Sequence, residues 1–251
     1  MAGMRKPGFV RTAIVVTTGL ALLTGCGLVG DGAGQHRPAG NDGTGSQHAR
    51  EAASGRGLKR IPGVKAGLLA EIPERSRQVV TVHGKGVNSA DSVVVLYTRH
   101  GDTWDRTRTW AGHNGKRGWT TRHREGDKRS PVGVFGLSDA GGVLEPPEGT
   151  GLPYHRSGSF AAPRYWPRTH WHDFDYVIAI DYNRVPGRSP ADPARPQGQD
   201  KGGSIWLHLD HGSGTSGCVS LSKSAMTYLL RTLDPAAQPV VVMGDEEHLR
   251  G

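Results

Sequence analysis

Apolar residues recur along this chain in short, β-branched runs separated by Gly, Pro, Asn and Asp, which is the punctuation of a mainly β protein. Residues 78–82 and 92–98 are such runs. Arg99-His100-Gly101-Asp102 reads as a turn, and 103–111 as the returning partner strand of a hairpin. Asn114-Gly115 marks another tight turn, and 132–137, 176–182 and 204–209 are predicted as further strands. A 3.6-residue period appears only late, where Ala225, Met226, Leu229, Leu230 and Leu233 share one face behind Ser222 as N-cap. Asp234-Pro235 stops that helix, and 239–243 reads as a closing strand. Residues 146–171 and 186–203 are rich in Pro, Gly, Arg and Ser and are predicted as long loops, the kind that act as lids or walls of a site.

The first 60 residues follow a different pattern. Arg5, Lys6 and Arg11 precede an uncharged apolar stretch at 13–23, shorter than the roughly 20 residues a spanning helix needs. The stretch ends in Leu23-Thr24-Gly25-Cys26, which resembles the lipobox of bacterial lipoproteins. That resemblance implies a signal peptide over 1–25, a diacylglycerol thioether on Cys26, and a protein held by lipid at the outer face of the cytoplasmic membrane or in the cell wall. Residues 27–60 are Gly- and Ala-rich and lack the apolar mass to offset ordering entropy, so 26–60 is expected to be lipidated cysteine plus flexible tether. The folded domain is then expected over 61–245, with 246–251 a polar tail. The formal net charge of +8 suits wall polymers or an anionic membrane. Its cations are scattered through loops, so no nucleic-acid partner is expected.

Only two cysteines are present. With Cys26 in a thioether, Cys218 is a single thiol in an oxidising compartment, where a free thiol needs a chemical reason. Its surroundings supply one. Gly202-Gly203-Ser204-Ile205-Trp206-Leu207-His208 precedes Thr215-Ser216-Gly217-Cys218-Val219-Ser220-Leu221. A nearby base or cation lowers a thiol pKa and makes a nucleophile, and His208 ends an apolar strand joined to Cys218 by a Gly-rich loop. Backbone N–H groups at Gly217 and Cys218 are placed to face a developing oxyanion.

These segments resemble the catalytic motif of the L,D-transpeptidase (YkuD-type) family: a strand ending in His, a loop, then Ser/Thr-x-Gly-Cys and an apolar residue. Glu125-Gly126-Asp127-Lys128-Arg129-Ser130-Pro131-Val132-Gly133-Val134-Phe135 resembles the family's Gly-Asp…Thr-Pro-x-Gly-x-Phe segment, with Ser130 replacing Thr, and Tyr182-Asn183 resembles its Tyr-Asn pair. Ser216 stands where many members have His, Ser220 where many have Asn or Arg, and the gap from His208 to Cys218 is short. The resemblance implies a twisted β-sandwich-like domain with one C-terminal helix and short helical turns. It implies a cysteine acyltransferase acting on peptidoglycan stem peptides, with Cys218 as nucleophile and His208 as base, and Ser216 and Gly217 in the same catalytic turn. The third member of a triad stays open among a backbone carbonyl, Ser216 and Asp210. Asn183, Arg129, Trp206 and His211 are candidate substrate-binding residues. The alternatives are an L,D-carboxypeptidase and a non-catalytic wall-binding lipoprotein of the same fold. No cofactor is expected, and a monomer is. No metal is expected either, because the close spacing of His208, Asp210, His211 and Cys218 does not suit a strain-free tetrahedron.

Overall fold

Valine-rich strands form the centre of the computed structural model, which describes residues 55–251. β1 (Gln78–Gly84) pairs antiparallel with β2 (Asp91–His100), and β2 turns at Gly101, φ +58°, into β3 (Thr103–His113). A short ladder joins β4 (Trp119–Thr120) to β5 (Ser130–Pro131). The remaining strands are β6 (Gly133–Gly136), β7 (Ala140–Gly142), β8 (Tyr154–Arg156), β9 (Val177–Ala179), β10 (Trp206–Leu209), β11 (Val219–Leu221) and β12 (Val240–Asp245). Ten of them make one mixed sheet in the order β6-β12-β1-β2-β3-β11-β10-β9-β7-β8. Among the described residues the α-helices are α1 (Ala66–Ala70), α2 (Lys223–Thr232) and α3 (Glu246–Arg250), so the mainly β expectation holds.

Both faces of the central strands are covered, which is why β1 is buried almost throughout its length. Val80 and Val82 face a core with Leu96, Leu207 and the α2 residues Met226, Leu229 and Leu230. Val79 faces the opposite core, built with Val95, Tyr97, Val242 and residues from both termini of the domain, Leu58, Ile61, Leu68 and Leu249. Each such side chain contributes about 1.5–3 kcal/mol by leaving water. Ser222 caps α2 as expected, its side chain accepting from the Ala225 N–H.

Four features differ from the sequence reading. Leu58, placed in the tether, forms a β-bridge with Trp104 in β3. Most of the polar tail, Glu246–Arg250, is helical: Asp245 caps α3, and its one apolar residue, Leu249, is fully buried. Residues 154–156, placed in a long loop, pair parallel with Ala140–Gly142. Gly141 and Gly142 are there for close approach, since a Cβ on Gly142 would lie 2.2 Å from the Asp175 carbonyl oxygen. Finally, 219–221 is a strand lying between β10 and β3. A run of three residues is too short to show a period of its own.

Candidate functional site

β10 and β11 are parallel neighbours, with Leu207 opposite Val219 and His208 opposite Ser220. Side chains alternate along a strand, so Trp206, His208 and Ser220 share a face, and Cys218 enters that face at the mouth of β11. The Trp206 N–H reaches the Cys218 Sγ at 3.4 Å, and the thiol reaches the Ser204 carbonyl at 3.4 Å. Cys218 and His208 line one cavity of about 410 Å³, together with Phe174, His211, Ser216 and Lys116.

His208 is 3 % exposed, and its Nδ1 lies 2.8 Å from the Leu209 carbonyl. A carbonyl only accepts, so Nδ1 carries the proton and Nε2 keeps its lone pair. Of the groups left open by the sequence, a backbone carbonyl is the one that contacts this ring nitrogen. Asp210 instead accepts from Ser220 Oγ at 2.7 Å, lies 2.8 Å from His113 Nδ1, and accepts from the Gly212 N–H. Burial pushes the Asp210 carboxyl up, but the Ser220 and His113 contacts outweigh it and hold the group below the usual carboxylate range. Ser216 is exposed at the cavity rim.

Burial also sets the ionisation of the central pair. It pushes the Cys218 thiol up to about 11, against the lowering effect of the Trp206 N–H, and it pushes His208 down to about 4, against the Leu209 hydrogen bond. The sequence reading expected a lowered thiol pKa. Enclosure reverses that expectation: Phe174 packs edge-on against both His208, at 5.2 Å between ring centroids, and Trp206, at 5.4 Å. Both shifts favour the uncharged forms, a thiol and a neutral imidazole, lining the same cavity.

The turn that carries Cys218 is built by two hydroxyls. Thr215 Oγ1 donates to the Cys218 carbonyl at 2.6 Å and accepts from the Gly217 N–H at 3.1 Å. Ser130 Oγ donates to the Gly217 carbonyl at 2.7 Å and accepts from the Gly115 N–H at 2.9 Å. Gly217 has φ +148°, and a Cβ there would meet the Arg129 carbonyl oxygen at 3.1 Å. The Gly217 N–H is thus engaged by Thr215, and Gly217 permits the turn that carries Cys218.

Three of the four expected substrate contacts have other partners. Asn183, buried and at φ +45°, donates to the carbonyls of Gly198 and Gly202 and accepts from the Gln197 N–H, so it clamps the 197–202 loop. Arg129 donates to the carbonyls of Val87 and Trp119 and to Asn88 Oδ1. The Trp206 ring packs edge-on against both Phe160 and Phe174. Only His211 lines the cavity itself, beside His170 and Asp173, two residues the sequence reading did not connect with the site. Cys26 lies outside the described residues.

The family model described as the L,D-transpeptidase catalytic domain, YkuD, matches residues 86–242. Among solved structures, Bd1075 of Bdellovibrio bacteriovorus is similar at 14 % identity with a TM-score of 0.38, the match covering 76 % of this chain and 51 % of that one. The chain thus spans about half the length of that protein. No match was found among curated proteins.

Proposed function

The chain belongs to the L,D-transpeptidase catalytic-domain (YkuD) family, and on that footing we propose that it is a cysteine acyltransferase of cell-wall stem peptides, working through a thioester on Cys218. What supports this is the shared cavity, in which the Cys218 thiol and an oriented, unprotonated His208 Nε2 face one space with the Leu209 carbonyl behind the imidazole.

Because the resting sulfur is a thiol, its proton leaves as it attacks. His208 Nε2 takes that proton while sulfur adds to the carbonyl carbon of the scissile amide. The Leu209 carbonyl accepts from the imidazolium that forms, and the Cys218 N–H faces the negative oxygen. Collapse of the adduct breaks the C–N bond, and His208 returns the proton to the departing amine of the terminal D-amino acid. The acyl group is now a thioester. An acceptor amine then attacks it, gives its proton to His208, and regenerates the Cys218 thiol as the new amide forms. In the carboxypeptidase variant water takes the place of that amine. The same reading places the enzyme at the outer face of the cytoplasmic membrane or in the wall, tethered through lipid on Cys26.

Incubation of the protein with a carbapenem β-lactam is expected to add one equivalent of drug mass to Cys218, read by intact mass and peptide mapping. Cys218→Ser should carry no adduct. An adduct of unchanged yield on Cys218→Ser would overturn the assignment of the nucleophile. Muropeptide analysis of sacculi treated with the protein then distinguishes crosslinked products from trimmed stems.

A further inference from the structure

The same cavity holds a second group of polar side chains that the chemistry above does not use, with the His211 ring stacked 6.3 Å from that of His208. His170 ends a 3-10 turn, Asp173 follows it, and His211 lies two residues beyond β10. One ligand-type atom from each lies within 4.8 Å of the other two. Asp173 Oδ2 is 2.9 Å from His170 Nδ1 and 3.0 Å from His211 Nδ1. The two imidazole rings are packed at 4.1 Å between centroids.

Two of its three members are buried, and the cluster is not fully satisfied by hydrogen bonds. The side chains of Asp173 and His211 are each 5 % exposed. The His170 edge is a regular hydrogen bond to Asp173, but the His211 edge is not: neither ring nitrogen of His211 has a hydrogen-bond partner among the described residues. Leaving such a buried polar group unmatched costs about 1–3 kcal/mol. A lone pair that points to a shared ion does not point along the line to a neighbouring ligand, so the short but misaligned His211–Asp173 contact suits coordination better than a proton bridge.

We propose that His170, Asp173 and His211 bind a divalent transition ion of the zinc type, with an open coordination position toward the cavity that holds Cys218. Two imidazoles and one carboxylate form a nitrogen-rich set that fits zinc, while calcium and magnesium take oxygen ligands almost throughout. Tetrahedral bonds of about 2.0–2.1 Å would hold the donor atoms about 3.3 Å apart, close to the two contacts already present. The position is backed by the sheet, since the Leu209 N–H of β10 donates to the Asp173 carbonyl at 2.9 Å. Three protein ligands with a fourth position left open are the pattern of zinc sites that take water or a ligand oxygen. Cys218 lies outside the cluster, its sulfur engaged by Ser204 and Trp206. The site is independent of the acyl-transfer assignment.

The test is zinc alone added to the full chain after chelator treatment and dialysis, in competition with a chromogenic chelator. One equivalent is expected to bind, and His211→Ala or Asp173→Asn to weaken it by on the order of 100-fold. His211→Gln, which keeps the ring's volume approximately, should weaken it comparably with the thermal midpoint intact. Cys218→Ser should bind as the unchanged protein does, and the cobalt-substituted protein should lack a sulfur-to-metal charge-transfer band. Absence of stoichiometric binding, retention of wild-type affinity in His211→Ala, or loss of binding in Cys218→Ser would each overturn the proposal. None of these readouts depends on acyl transfer.

Discussion

Burial acts on Cys218 and His208 in one direction, against charge: the thiol is pushed up to about 11 and the imidazole down to about 4. A sulfur held this way is a poor nucleophile until a base removes its proton, so the orientation of His208 matters more than the resting charge of either group. Two pH profiles follow. Alkylation of Cys218 by iodoacetamide should be slow at neutral pH and rise with a midpoint near 11, well above the ordinary thiol near 8.5, with the rate constant measured against pH. The carbapenem acylation rate should keep its acid limb down toward pH 4, because a lowered His208 loses its lone pair only there. The sign agrees with linkage: a lowered imidazole pKa keeps the base competent below pH 6.5, where an exposed histidine would already be protonated. An alkylation midpoint below 8 would show a preformed ion pair and contradict this geometry.

The element that makes the site is the connection from β10 to β11, at 210–218. It joins two parallel neighbours without the helical crossover such pairs usually need. Its path is held instead by hydroxyls, Thr215 from within and Ser130 from the strand beside it. Ser130→Ala leaves the Gly217 carbonyl and the Gly115 N–H without that shared partner in a buried position, at a cost of about 1–3 kcal/mol. The expected outcome is a lower urea midpoint with slower acylation of Cys218, while Ser130→Thr, which keeps the hydroxyl, restores both. Equal stability and equal acylation in Ser130→Ala would mean that the loop holds its shape without this bond. Asn183 and Arg129 belong to the same scale. Each has a side chain suited to a ligand, and each spends it on neighbouring loop backbone.

At the scale of the molecule, two cores on opposite faces of one sheet join distant parts of the chain. Leu58 and Leu249, near the two ends of the described residues, meet in the same core. Among the described residues no helix is long and apolar enough to cross a membrane; the membrane attachment proposed here is through lipid on Cys26. Cys26→Ala is expected to move the protein from the membrane fraction to the soluble exported fraction and to abolish its labelling by a palmitate analogue. Unchanged fractionation would end the lipid-anchor reading. Period and local chemistry determined a good deal by themselves: the valine strands, the hairpin at Gly101, helix α2 with its Ser222 cap, and the pairing of His208 with the Ser-Gly-Cys turn. Each is a pattern over adjacent residues, set by strand or helix repeat, turn preference or short spacing. The tertiary structure alone decided that 219–221 is a strand, that Leu249 anchors a closing helix, that the Leu209 carbonyl backs His208, and that His170 and Asp173 meet His211. These depend on residues far apart in the chain or on backbone groups with no side-chain signature. The direction of the Cys218 shift was decided there too, because desolvation is a property of what surrounds a sulfur and not of its neighbours in sequence.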